Sequence, residues 1–205
     1  MIAIIDYGMG NLKSVYNAFC SLGAEVCITS DARRVAAAKH VVLPGVGAFG
    51  DAMRELDERN LIDVLKKSIH ENKPFLGICL GFQLLFEESE ENKGIQGLGV
   101  LPGRVKRFDI LSFSEPLKIP HMGWNTVAIG KDTCPLMCNV PDEAYFYFVH
   151  SFYVESNERD IYLAETNYGI PFMSMAWNNM IFGAQFHPEK SQDVGLKILK
   201  NFMEL

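Results

Sequence analysis

The residues best equipped for chemistry are Cys79 and, far along the chain, His187 and Glu189. Cys79 lies between Gly77 and Gly81, after the apolar run Phe75 to Ile78 and before a helical pattern over Leu80 to Glu88. That order predicts a strand, a tight turn carrying the thiol, and a helix. A nucleophile on such a turn stands clear of its sheet. The first helical turn beside it offers free backbone N–H groups and a positive dipole end, which favour negative charge on a sulfur or an oxyanion. The flanking glycines let the backbone bend without a clashing Cβ. The segment also reads as a buried structural cysteine behind a core strand. A thiol hydrolyses nothing by itself; it needs a base and a group to orient that base. His187-Pro188-Glu189 follows the apolar run Ile181 to Phe186, so the imidazole is expected at a strand end. In an open α/β sheet that carboxyl edge is where ligands bind, and Cys79 is expected on the same edge. Glu189, two residues on, can reach the second imidazole nitrogen. Alone, His187 reads equally as a capping or surface histidine before the last helix.

These side chains meet only if the elements between them build the right sheet. In the first half, Ile2 to Asp6 predicts a buried strand, and Leu12, Val15, Tyr16, Phe19 and Leu22 recur at helical spacing up to Gly23. A strand over Glu25 to Thr29, a short helix from Asp31, and a strand over Val41 to Leu43 follow. The last of these runs into the turn Pro44 to Gly47, which reads by itself as an ordinary strand exit. A helical stretch from Asp51 to Glu71, broken near Asn60, precedes the strand before Cys79. This alternation predicts parallel strands with right-handed crossovers. The second half is strand-rich: 104–108, 124–129, 144–154, 161–166, 172–176 and 181–186, closed by a helix over 195–203. The expected fold is α/β: an open, mostly parallel sheet with flanking helices and an antiparallel, strand-rich C-terminal half. With no linker, repeat or low-complexity tract, residues 1–205 are expected to form one domain.

Composition narrows the classes. A chain of 205 residues can bury a full core, and 48% hydrophobic with 21% charged residues is ordinary for a globular protein. A formal net charge of −6 argues against nucleic acid as partner, because phosphates call for a basic face. No apolar run approaches the roughly 20 residues of a membrane span, and the opening strand-like run predicts no signal peptide. The cysteines at 20, 27, 79, 134 and 138 are odd in number and fit a reducing cytoplasm better than a disulfide framework. Cys134 and Cys138 lack a second pair at zinc-like spacing, so no metal is expected.

Gly77-Ile-Cys-Leu-Gly-Phe-Gln83 together with His187-Pro-Glu189 resembles the class I, or triad, glutamine amidotransferase family. Asp6-Tyr-Gly-Met-Gly-Asn11, Leu43-Pro-Gly-Val-Gly47, Pro120-His-Met-Gly-Trp-Asn125, Tyr147-Phe-Val-His-Ser151 and His187-Pro-Glu-Lys-Ser191 extend the likeness over nearly the whole chain, toward the branch serving histidine biosynthesis. The resemblance implies that Cys79 attacks the glutamine amide, that His187 acts as base and then acid, and that Glu189 orients the imidazole. It implies an oxyanion hole from Leu80 N–H and the Val46–Gly47 loop, where a peptide can turn its N–H inward. Gln83 and Glu91 would contact the main-chain end of glutamine, although Glu87, Glu88, Glu90 and Glu91 also read as a solvated helix end. The backbone at His150 and Ser151 would line the same pocket, with the His150 ring structural. No cofactor is implied. The implied partner is a (β/α)8-barrel cyclase subunit that receives the ammonia, forming a heterodimer through Asn11, Tyr147 and Lys190. Asn11 reads also as a helix cap and Lys190 as a solvated side chain. Phe82 stands where this family usually carries methionine, and Phe152 where tyrosine is common. Those departures leave open a paralogue that supplies ammonia to a nucleotide-linked sugar. A Cys-His hydrolase or peptidase acting without a partner, and a catalytically silent regulator, are the readings from other classes.

Overall fold

The apolar runs of the first half have no polar face to offer water, so they form strands covered on both sides. The computed structural model describes residues 1–109, 117–131 and 133–205. In it, Ile2–Ile5 (β1), Val26–Thr29 (β2), His40–Gly45 (β3) and Phe75–Cys79 (β4) lie parallel in the order β2-β1-β3-β4. Leu12–Ser21 (α1), Ala32–Ala37 (α2), Phe49–Glu58 (α3) and Ile62–His70 (α4) provide the crossovers. The helical stretch expected over 51–71 is two helices, parted where Asn60 takes a left-handed φ of 56°. Asparagine tolerates that region better than most residues.

The C-terminal half completes the sheet by folding back. Ile181–Ala184 (β12) pairs parallel to β4. Beyond it Ile170–Asn178 (β11), Tyr162–Tyr168 (β10), His121–Ile129 (β7) and Ala144–His150 (β8) continue antiparallel. Glu88–Ser89 (β5), Arg104–Arg107 (β6) and Phe152–Glu155 (β9) branch off β11. The strand expected over 144–154 is therefore two strands: the chain turns at Ser151, and β9 leaves to pair with β6 and β11.

The helix expected after Cys79 is a single turn, Leu80–Gln83 (α5). It stops because the next carbonyls are taken by a returning loop: those of Leu84, Leu85, Phe86 and Glu87 accept from Leu98, Val100 and Leu101, Gly99, and Gly97. The acidic run beyond it is likewise no solvated helix end. Glu87, Glu90 and Glu91 each accept a backbone N–H, from Gly103, Arg107 and Phe49 respectively. The closing helix, Gln192–Met203 (α6), packs with α1 on one face of the sheet, where Phe19, Phe182, Phe186 and Phe202 are fully buried. On the other face Phe49, Leu65, Phe75 and Phe82 form a second core under α3 and α4. Each such side chain stabilises the fold by about 1.5–3 kcal/mol.

One consequence of register places the site. Gly45 pairs with Cys79 and Ile78 with Ala184, so β3, β4 and β12 end at the same height. Their carboxyl ends form one edge.

Candidate active site

Cys79 is the last residue of β4 and holds φ 54°, ψ −111°, a backbone region that L-residues avoid. Such strain persists only where neighbours over-determine it. Here α5 is pressed on the sheet so closely that a Cβ on Gly81 would collide with the Leu43 carbonyl. The thiol is nearly buried, donates toward the Val149 carbonyl at 3.9 Å, and accepts from Gln185 Nε2 at 3.9 Å.

His187 follows β12 and is fixed by its own backbone, whose N–H donates to the Tyr147 carbonyl at 2.9 Å. A 3₁₀ turn at Pro188–Lys190 brings Glu189 back beneath it. Glu189 Oε1 lies 2.8 Å from His187 Nδ1, and the two side chains are 1% and 2% exposed. A carboxylate only accepts, so Nδ1 carries the proton and Nε2 is left toward the sulfur. Burial by itself lowers the imidazole pKa, but Cys79 and Glu189 outweigh it and hold His187 at about 10. Nε2 makes no formed hydrogen bond. Cys79 thus lies close enough to act on the ring without having closed on it, as catalytic pairs often rest.

In front of the thiol is a cleft of about 360 Å³. Val46, Gly47 and Leu80 line it, as do Gln83, Glu91, His150 and Ser151. All seven expected oxyanion and substrate residues therefore share one cavity with Cys79. Gly47 has a φ of 100°, which a side chain would strain, and Val46 is exposed. Glu91 and Asn92 cap α3 from outside: Phe49 N–H donates to Glu91 Oε2 at 2.7 Å and Gly50 N–H to Asn92 Oδ1 at 2.8 Å. Gln83 Nε2 donates to the Phe152 carbonyl and to Gln185 Oε1, both at 3.0 Å. The His150 ring is buried and bonded to His121 at 2.9 Å and to the Phe152 carbonyl at 2.8 Å.

The three residues expected at a partner contact belong to elements that meet at the turn Pro188–Lys190: Asn11 at the start of α1, Tyr147 on β8 and Lys190 in the turn itself. Asn11 caps α1, its Oδ1 accepting from Ser14 N–H at 3.4 Å. Lys190 Nζ sits 5.7 Å from the Tyr147 ring centroid, and that ring is 6.1 Å from Trp124. Alternation along β7 and β8 puts Met122, Trp124 and Tyr145 on this face, 62%, 47% and 61% exposed. The sequence reading singles out none of the three as exposed, although the alternation along β7 carries the signal for Met122 and Trp124. It also missed Gln185, a buried amide inside an apolar strand exit. A third omission is Tyr7, whose buried hydroxyl donates to the Pro44 carbonyl at 2.9 Å. Burial and the neighbouring Cys79 push that phenol's pKa well up, keeping it a neutral donor under the Gly-rich loop. Cys134 is buried and Cys138 exposed; among the described residues no group of three His, Cys, Asp or Glu could hold a metal ion. No helix among them is long and apolar enough to cross a membrane.

Comparison with known proteins adds an independent line. The sequence profile of the family described as glutamine amidotransferase class-I matches residues 3–205. An imidazole glycerol phosphate synthase subunit HisH of Desulfitobacterium hafniense is 52% identical over 98% of this chain and 93% of its own length. One from Geobacter metallireducens is 50% identical over 98% and 96%. A crystal structure of a glutamine amidotransferase superposes with a TM-score of 0.77, covering 100% of this chain and 98% of that one at 17% identity, a likeness of fold.

Proposed function

Since the chain belongs to the class-I glutamine amidotransferase family, in its group of imidazole glycerol phosphate synthase subunits, we propose that Cys79, His187 and Glu189 hydrolyse glutamine for histidine biosynthesis. The thiol yields its proton to His187 Nε2, and the sulfur attacks the side-chain amide carbon. The oxyanion that forms faces the N–H of Leu80 and the loop of Val46 and Gly47. Each such donor is worth about 2.7–4 kcal/mol of barrier where it has been removed from other enzymes. His187 then protonates the departing nitrogen, ammonia leaves, and a glutamyl thioester remains on Cys79. Water, deprotonated by the same imidazole, releases glutamate. Glu189 holds the ring in the Nδ1–H tautomer and stabilises the imidazolium. Gln83, Glu91 and the backbone of His150 and Ser151 hold the substrate's main-chain end.

The ammonia passes to a (β/α)8-barrel cyclase subunit that makes imidazole glycerol phosphate and AICAR. Free ammonia is protonated in neutral water and no longer nucleophilic, so a docked acceptor is chemically required. The exposed Met122, Trp124 and Tyr145, continuous with Tyr147 and Lys190, offer the apolar surface such a partner would cover. Asn11 borders it. The chain works as one domain over residues 1–205, in a reducing cytoplasm, with its five cysteines free.

The observation that best supports this reading is the meeting of a strained, cleft-facing Cys79 with the buried His187–Glu189 pair at one sheet edge. The sugar-amidating alternative rested on Phe82 and Phe152. Phe82 is a packing residue, edge-on to Phe86 at 5.3 Å and tight against Gly183, which removes it as a specificity signal. The test is labelling by a diazoketone glutamine analogue, with the synthase partner present. Mass spectrometry is expected to find the adduct on Cys79, blocked by glutamine, and ammonium release is expected to be slow without the partner. An adduct on another cysteine, or equal turnover with and without partner and acceptor nucleotide, would overturn the reading.

A further inference from the structure

The back wall of the cleft is held by a run of polar groups that the reaction above does not use. It begins at Asn125, whose amide orientation is fixed by backbone on both sides. Its Oδ1 accepts from Thr126 N–H at 2.8 Å, and its Nδ2 donates to the Asn167 carbonyl at 2.9 Å. The second Nδ2 hydrogen faces His121 Nε2 at 3.2 Å. His121 Nδ1 lies 2.9 Å from His150 Nε2, and His150 Nδ1 lies 2.8 Å from the Phe152 carbonyl. A carbonyl only accepts, so His150 Nδ1 must carry a hydrogen. If the ring is neutral, its Nε2 is an acceptor, and His121 must donate from Nδ1. His121 Nε2 then accepts from Asn125, which is the one role that the anchored amide allows. Both ends, argued independently, demand the same direction and the same Nδ1–H tautomer on both rings.

The run ends at a junction. The Phe152 carbonyl also accepts from Gln83, which donates in turn to Gln185, the residue whose Nε2 approaches the Cys79 sulfur. That carbonyl thus accepts twice, from His150 and from Gln83. His121 itself has little freedom: it is stacked on Tyr168 and Phe148 at 4.0 and 4.7 Å between centroids.

We infer that His121 and His150 are positioning residues for the glutamine site: a one-way run of hydrogen bonds from Asn125 to the Phe152 carbonyl that fixes the Ser151–Phe152 wall. The identity of the ligand rests on the glutaminase reading; the run itself does not. Without it, β8 would reach its turn at Ser151 with the Phe152 carbonyl half-satisfied, and the wall could rotate away from the substrate. Both rings are buried, and burial depresses their pKa values to about 4 for His121 and about 3 for His150, consistent with neutral relays.

Two measurements test this. Nitrogen-15 NMR of the full chain, labelled at histidine, is expected to report His121 and His150 as Nδ1–H tautomers with unprotonated Nε2 at neutral pH. Either ring in the Nε2–H form overturns the inference. Kinetics with the synthase partner supply the functional readout. His121→Phe keeps the stacking and removes the donor to His150, and is expected to raise KM for glutamine about tenfold, equivalent to about 1.4 kcal/mol, with kcat nearly unchanged. His121→Asn, whose amide nitrogen can stand where Nδ1 stood, is expected to recover most of that loss. A His121→Phe variant with wild-type KM and merely lower thermal stability, or no recovery in His121→Asn, overturns the positioning role. If His121→Phe fails to fold, the wild-type tautomers decide. Absence of glutamine turnover in the wild-type complex would instead sink the glutaminase reading, with the tautomers still readable.

Discussion

Two histidine sites border the same cleft and behave in opposite ways. His187 sits against Glu189 and Cys79 and holds its proton up to a pKa of about 10, whereas His150 and His121 titrate at about 3 and 4. All three are buried, and burial is the largest single influence on each, always downward. The partner decides the sign. A carboxylate at 2.8 Å and the Cys79 sulfur favour imidazolium strongly enough to overcome burial, while the Phe152 carbonyl beside His150 favours it too weakly and the neighbouring imidazole opposes it. The cleft thus keeps a ring that can move protons apart from rings whose protons are locked in place.

Removing the nucleophile tests the mobile site most severely. Cys79→Ala is expected to lower glutamine turnover in the complex by at least about 10⁴-fold, since triad members act as a unit. Binding of glutamine, measured calorimetrically, should survive, because the cleft wall is untouched. Glu189→Gln comes next and bears directly on the comparison. It keeps the shape but deletes the charge, converting His187 into a ring with neutral partners like His150. Turnover is expected to fall on the order of 10³–10⁴-fold, as for other triads whose orienting carboxylate becomes an amide. The His187 pKa, followed by NMR, should drop well below 10. A variant that kept the wild-type value would show that Cys79 alone sets the sign.

The sequence foretold the mobile site better than the fixed one, for a physical reason. Cys79 between glycines and His187-Pro188-Glu189 are local signals: each alone has a structural reading, but together, each after an apolar run, they match a family motif contained in short contiguous segments. The parallel order of β1 to β4 was equally legible, because doubly covered strands read as unbroken apolar runs. The His121–His150 run had no such signature. Its members lie on β7, β8 and the start of β9, and nothing in a single segment says which strands will pair. The register that sets His121 opposite His150 comes from the β7–β8 hairpin. The single-turn α5 was illegible likewise, since the loop returning from 97–101 is what terminates it. Glu91 is expected at the substrate by resemblance only and reads by itself as part of a solvated run, because the N–H it accepts, at the start of α3, is brought to it only by tertiary structure.

Acid and alkali separate the two sites by smaller effects. For His121 and His150 the folded pKa values lie below the unfolded value of about 6.5. The unfolded chain therefore binds protons first as pH falls, and the stability they contribute is present above 6.5 and lost on descent toward about 4 and 3. His187 has the reverse sign. Its raised pKa contributes stability fully present below 6.5 and lost as pH rises through about 10. Denaturant titrations from pH 4 to 10 should show both limbs. His121→Phe is expected to flatten the acid limb and leave the alkaline limb as it is. Glu189→Gln is expected to flatten the alkaline limb and, by leaving His187 buried without a charged carboxylate beside it, to steepen the acid one. If His121→Phe altered the alkaline limb, the two sites would be electrostatically one.

The smallest expected effect asks how far the outer edge touches each site. Asn11 caps α1, and α1 packs against the turn Pro188–Lys190 that carries Glu189; β8 packs against the same turn, its Tyr147 carbonyl accepting from His187 N–H, and runs on to the Ser151–Phe152 wall. The cap hydrogen bond is long, at 3.4 Å, and exposed. Asn11→Ala is therefore expected to cost about 0.5 kcal/mol, the low end for such caps, in chemical denaturation. Loosening α1 reaches Glu189 first; the Ser151–Phe152 wall lies one element further on, beyond β8, and is held by its own hydrogen bonds to His150 and Gln83. Any kinetic change should consequently fall on kcat, within about a factor of two by that same energy, and leave KM for glutamine alone. If Asn11 also contacts the partner, its loss weakens subunit affinity without altering the stability of the isolated chain further, which sedimentation of the two-subunit mixture would read. A rise in KM for glutamine would mean that the outer edge couples to the histidine run, and the division between a mobile and a fixed site would have to be abandoned.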